Sequence, residues 1–306
     1  MLGLAEGIRA TEVVVLVGGF GYAAAADWRF REVTDRLWQV LGVIGFILGA
    51  VAVGVGGTVP LVLWVIVGVL ALEHMFPWDE RLGRRFDRYA DLVELVAYVA
   101  VVVIVAAFVV RAGVGDATVP LSVLALLATI VFARALFETG VLYGGADAKA
   151  LMIAGLLVPL FPSPLWGPSG VSVPVTSVLP FSVDLLMNAA LFSVGVPIGL
   201  AVRNAMHGEF HGLRGFTGYV LPVDELPRRY VWVRDPTFGD ARREEAEIET
   251  SADDRRRRSE IARELSARGV RRVWVTPQLP FLVLMALGAV AALLAGNLVV
   301  DLIAVL

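Results

Sequence analysis

The sequence predicts an all-α polytopic membrane protein of about eight transmembrane helices, with a small α/β cytoplasmic unit before the last helix. Three observations predict it. Long, nearly uncharged apolar runs recur along most of the 306 residues, of which 58% are hydrophobic, and the mean hydropathy is +0.76. That is the signature of a chain that crosses a bilayer many times rather than of a soluble core. Basic residues fall in alternate connectors between the runs. One long polar stretch, 203–278, interrupts the pattern once, before the final run.

The runs at 9–27, 39–57, 59–77, 92–111, 119–137, 150–166, 182–202 and 279–304 each read as a crossing. A helix needs about 20 mainly apolar residues to span the hydrocarbon. The third run carries Glu73 and His74 near its end, and the sixth is short before Pro162 and Pro164. The first lacks a basic start and a small-residue cleavage site, so it is expected to be a permanent span and not a removable signal. Arg29, Arg31 and Arg36 follow the first run; Arg81, Arg84, Arg85 and Arg88 follow the third. Lys149 follows the fifth, and many arginines follow the seventh. The connectors 58, 112–118 and 167–181 hold no Lys or Arg. By the positive-inside rule the basic loops face the cytoplasm and the N-terminus lies outside. The 167–181 connector, with turns at Gly167-Pro168 and Pro174, reads as an ordered external loop.

The chain then divides into a membrane core (1–202), a cytoplasmic insert (203–278) and a C-terminal helix (279–306). Tyr230–Val233 and Arg271–Val275 look like two short strands. Between them, about 240–268 reads as a mostly solvated helix whose Ile261 and Leu265 make a narrow apolar stripe. Arg255–Arg258 have acids on both sides and read as a solvated face rather than a nucleic-acid patch. The net charge of −3 makes no case for nucleic acid either. With no cysteine there is no disulfide, thiolate metal site or cysteine nucleophile. His74, His207 and His211 lack the H-E-x-x-H setting of a zinc enzyme. Neither a metal site nor a cofactor is expected.

The chemistry centres on Tyr143-Gly144-Gly145-Ala146-Asp147-Ala148-Lys149, between two apolar runs. It holds the only lysine of the chain. A carboxylate in or beside a bilayer is costly to keep, so Asp147 should have a function and a partner. Parity supplies the partner: Asp27 ends the first run, and four crossings separate the two, so both lie on the cytoplasmic face. Two close carboxylates cannot easily both ionise and would hold one proton between them. The ionised member can take a proton from attacking water while the other donates to a carbonyl oxygen. Gly144 and Gly145 offer bare backbone for an extended peptide to approach. Asp184 and Asp301 fall nearer the external face, and Glu138 reads as the interfacial end of its span.

Gly144-Gly145-Ala146-Asp147 resembles the GxGD motif of intramembrane aspartyl proteases, with Ala146 at the position of the second glycine. Asp27-Trp28-Arg29-Phe30-Arg31-Glu32-Val33 resembles the first-aspartate motif of type IV prepilin peptidases, particularly the archaeal prepilin/preflagellin branch. The resemblance covers about residues 10–205. It implies a membrane aspartyl endopeptidase with Asp27 and Asp147 as the catalytic pair. Gly144, Gly145, Lys149, Arg29 and Arg31 would then bind substrate or support the pair. The substrates would be prepilin or archaellin precursors, cut at the cytoplasmic membrane face behind a short basic leader. The alternative is an ion- or proton-coupled transporter using the same acids. Against it, the acids sit at span ends and no inverted repeat is visible. A scaffold whose cytoplasmic unit binds another protein would leave both acids without a role.

Overall fold

In hydrocarbon every backbone N–H and C=O must be paired within its own segment, so the apolar runs form helices. A computed structural model describes residues 2–54, 58–76, 87–112, 118–142, 144–160, 179–234 and 251–305. Arg81, Arg84, Arg85, Tyr143, 240–250 and most of the 167–181 connector lie outside the described residues. Helices α1 (Leu2–Phe30), α2 (Asp35–Gly54), α3 (Thr58–Glu73), α4 (Asp87–Ala112) and α5 (Thr118–Glu138) follow in order. After them come α6 (Gly145–Leu157), α7 (Phe181–Ser193) and α8 (Gly195–Met206).

Among the described residues, four helical stretches are long and apolar enough to cross a membrane: Gly7–Phe30, Asp35–Gly54, Leu121–Glu138 and Phe181–Met206. A bent pair near the C-terminus makes a fifth by length and composition. Among the described residues the protein is therefore mostly helical, with four to five candidate spans, and the eight read from the sequence are not confirmed as a count. The third and fourth runs also form helices, α3 and α4, with shorter apolar stretches, Pro60–Glu73 and Leu95–Ala107, among the described residues. The sixth stops at Leu157, because Val158 precedes Pro159 and a residue before proline is pushed out of the helical region.

The last run differs most from expectation. It divides into α10 (Phe281–Ala295) and α11 (Leu298–Val305), bent by 61°. Gly296 at the break has φ +83, a left-handed conformation that suits glycine. The freed backbone groups are satisfied by two asparagines. Asn188 donates to Gly296 C=O (2.8 Å) and accepts from Leu298 N–H (2.9 Å). Asn297 Oδ1 accepts from Val299 and Val300 N–H, both at 3.1 Å, and its amide donates to Asp184 Oδ1 at 2.8 Å.

The insert folds as a three-stranded antiparallel sheet in the order β1-β3-β2. Its strands are β1 (Tyr219–Pro222), β2 (Val231–Val233) and β3 (Arg272–Pro277). The charged helix α9 (Ser251–Ala267) packs over the 3-10 turn Val223–Arg228. Leu221, Val223, Leu226, Val231, Ala262, Leu265, Val273 and Val275 form its core, separate from the membrane core. Arg255 and Arg256 are exposed, as a solvated face requires, but Arg258 is buried and paired with Asp254. The charge run is thus not uniformly solvated, because its fourth member turns beneath the helix toward the sheet unit.

Helix α10 crosses α7 at near backbone contact: a Cβ on Gly288 would stand 2.4 Å from the Leu185 carbonyl oxygen and 2.9 Å from the Ala189 nitrogen. Neither atom can rotate away. Gly288→Ala should therefore lower stability by about 1–3 kcal/mol, the usual cost of overpacking. Gly18→Ala, where nothing lies within 4 Å, should cost nothing. Melting curves of both variants in one detergent check this.

Candidate active site

Helix α6 is short but central. Its residues are buried at Ala148 and continuously from Ala150 to Leu157, and it packs against α1, α2, α3, α5, α7 and α10. An apolar helix buried around its whole circumference belongs to a core, not to a lipid-facing rim. Asp147 lies in its first turn, with Gly144 as N-cap and Asp147 N–H donating to Gly144 C=O at 3.0 Å. A Cβ on Gly144 would come within 2.9 Å of Asp147 Oδ2. Glycine here makes room for the carboxylate itself. At Gly145 a Cβ would meet only Phe137, at an ordinary 3.9 Å.

Asp27 lies in the last turn of α1, which packs on both α6 and α10. Its Oδ2 accepts from Leu282 N–H at 3.1 Å. Leu282 is the second residue of α10, whose N-cap, Pro280, makes no side-chain cap. The first amides of a helix have no partner within it. Asp27 therefore caps α10 from another helix and receives the positive end of its dipole. Asp147 opens α6 and Asp27 closes α1, and these two helices pack on each other.

Beyond α1 the chain turns through Arg31, the sole non-glycine residue with positive φ among the described residues (φ 56). Its N–H donates to Asp27 C=O at 3.0 Å. Its guanidinium lies over the Tyr230 ring, 5.3 Å from the centroid. Burial pulls the Arg31 pKa below its ordinary value, and the charge of Asp27 and then Tyr230 oppose that. Arg31 Nε and Nη1 are buried without a hydrogen-bond partner among the described residues. The Arg258 guanidinium also lies over the Tyr230 ring, at 5.2 Å, and Tyr230 OH donates to Arg29 C=O at 3.2 Å.

The other sequence-predicted residues are spread more widely. The Arg29 side chain is exposed, and only its carbonyl joins the cluster. Lys149 Nζ pairs with Asp35 at 2.5 Å, clipping α6 to the start of α2. Glu138 pairs with Arg134 at 2.6 Å on the surface, and Asp184 belongs to the helix-break network. Among the described residues no three His, Asp or Glu side chains gather into a metal-holding group. Sequence reasoning passed over Leu282, Tyr230 and Asp35. The one available signal is at 279–282: Leu-Pro-Phe-Leu starts a helix with no Ser, Thr, Asp or Asn to cap it, so its amides must be satisfied from elsewhere.

Residues 213–298 match the family model described as Archaeal Peptidase A24 C-terminus Type II. No curated protein and no solved structure matches the chain. The matched stretch runs from the sheet unit through α10, and so includes both Tyr230 and the Leu282 amide that holds Asp27. Over those residues the chain is similar to the C-terminus of the archaeal A24 peptidases, and that match supports an archaeal prepilin/preflagellin peptidase family.

Proposed function

We propose that the protein is an aspartic-type membrane endopeptidase. It removes a short basic leader from prepilin or archaellin precursors at the cytoplasmic face. The observation that carries this is the placement of Asp27 and Asp147 at the end and the start of two packed helices, in a chain whose C-terminal region matches an A24 peptidase.

Asp27 Oδ2 accepts an amide N–H, a contact that suits an ionised carboxylate, so Asp27 is assigned the base and Asp147 the acid. Asp27 takes a proton from water as the oxygen bonds to the scissile carbonyl carbon, while Asp147 gives its proton to the carbonyl oxygen. A neutral gem-diol results. Asp27 then passes its proton to the amide nitrogen as the C–N bond breaks, and Asp147 recovers a proton from the diol. Products are a carboxylic acid and an amine, and the pair ends as it began. Lys149, paired with Asp35, serves to fix α6 rather than to move protons.

Asn at either position keeps size and removes the titrating group. Asp27→Asn and Asp147→Asn should each lower cleavage of a reconstituted precursor peptide by about 10²–10⁴-fold, the usual contribution of a positioned acid or base. The double variant should be little worse, because the pair acts as one unit. Parental rates in either single variant would sink the assignment. Gly144→Ala, which crowds the Asp147 carboxylate, should reduce kcat while leaving the melting temperature nearly unchanged. Orientation is tested separately. A cysteine at the exposed Arg255, in a chain with no other, should resist an impermeant thiol reagent in intact cells and react in inverted vesicles. Labelling from outside would reverse the topology and remove the cytoplasmic site.

A further inference from the structure

The contacts around Asp27 close into a ring whose far side is a single residue of the sheet unit. Tyr230 OH holds the Arg29 carbonyl, two residues beyond Asp27, and the Tyr230 ring lies under the Arg31 guanidinium, four residues beyond it. The Tyr230 carbonyl accepts from Gln278 N–H at 3.0 Å. Gln278 leads through Pro280 directly into α10, whose Leu282 amide returns to Asp27 Oδ2. A second loop braces the first: Gln278 Nε2 donates to Asp254 Oδ2 at 3.1 Å, Asp254 pairs with Arg258, and Arg258 lies over the same ring.

Arg31 shows that this ring is held at a cost. A non-glycine residue in the left-handed region is unfavourable, and glycine would adopt the turn freely. Its buried Nε and Nη1 also lack hydrogen bonds among the described residues. What the side chain gains in return is the Tyr230 face and the charge of Asp27. Strain of this kind persists where surrounding contacts over-determine it.

We propose that Tyr230 is a positioning residue that locks the end of α1 to the start of α10 and so fixes the Asp27 carboxylate. The proposal rests on the peptidase reading for its kinetic consequence and not for its structural one. Tyr230 does not touch the reacting atoms; it sets where Asp27 Oδ2 meets the Leu282 amide. An error of about 1 Å in a catalytic group can cost about 10²-fold in rate.

The test uses the full chain in lipid nanodiscs. Spin labels on Tyr22→Cys and Glu260→Cys, both exposed, report the distance between α1 and α9 by pulsed electron resonance. A peptide with a short Lys/Arg-rich leader before an apolar helix reports kcat and KM. Tyr230→Leu should broaden the distance distribution and lower kcat by about ten-fold or more, with KM changed by less than about two-fold. Tyr230→Phe keeps the ring under both guanidiniums and should stay narrow, recovering most of the rate. Arg31→Gly relaxes the turn, so a merely structural role predicts equal or higher melting temperature with a narrow distance distribution. The proposal predicts the broadening of Tyr230→Leu instead. Should Tyr230→Leu fail to fold, Arg31→Gly carries the test without touching the sheet unit.

A narrow distribution in both Tyr230→Leu and Arg31→Gly overturns the proposal, as does a loss of activity that lies wholly in KM. Cleavage by Asp27→Asn and Asp147→Asn at the parental rate would instead remove the peptidase reading. Failure of the parent to cut the peptide would do the same. In both cases the spin-label distances still decide whether Tyr230 locks the two helices.

Discussion

The burial of α6 on all its faces is the constraint from which the rest of the site follows. An isolated 13-residue helix has little stability of its own. Here its order comes from the helices around it. Ala148, Ala150 and the unbroken run to Leu157 leave no side of that stretch for lipid or water. Even Gly155 is occupied: a Cβ there would meet Thr129 at 2.8 Å. Thr129 in turn bonds Ala125 C=O and the Ser182 hydroxyl, so the polar atoms nearest the helix are themselves satisfied. With α6 immobile, its first turn can present Asp147 at one place only, beside the end of α1.

That place is completed from the far end of the chain. Asp27 and Leu282 are separated by 255 positions, yet one hydrogen bond joins them. A hydrogen bond to a charged group contributes about 1.5–3 kcal/mol. Its larger consequence is geometric. The carboxylate ties the end of the first helix to the start of one that begins after the sheet unit. The region matching the A24 C-terminus therefore takes part in holding Asp27. Removing it would expose the end of α1 and leave Asp27 without its amide.

The elements most legible in the sequence were those set by local chemistry. The apolar runs marked the helices, and alternating Val and Trp marked β2 and β3. The aspartates stood out because a carboxylate beside an apolar run has few ordinary explanations. Span lengths were less legible, since a proline such as Pro159 ends a helix that composition alone would extend. Strand β1 was missed because Gly218 and Pro222 punctuate a stretch of only four residues. Its strand character comes from pairing with β3, with Val220 opposite Trp274. The break at Gly296-Asn297 was hidden for a similar reason. It lies in an apolar run, and what makes it tolerable is Asn188, more than 100 positions away. Arg258 looked like part of a solvated run because nothing local distinguishes it from Arg255 or Arg256. Its burial depends on Tyr230, which enters from the strand side.

The structure also separates two kinds of acid within the apolar region. Asp184 takes the Asn297 amide beside a broken helix, where polar side chains are needed to satisfy freed backbone groups. It has a structural explanation in full view. Asp27 has a partial one, since it caps α10, although a neutral Asn or Ser could accept from the same amide. Asp147 has none of this kind. It caps no other helix, and no side-chain hydrogen bond holds its carboxylate among the described residues. Gly144 withdraws a Cβ to give it room, and its principal charged neighbour is another carboxylate. Folding alone would favour an apolar residue at that position, because burying an acid beside a like charge is unfavourable on both counts. Under the function proposed above, such a carboxylate is the member of the pair that exchanges a proton with the arriving substrate.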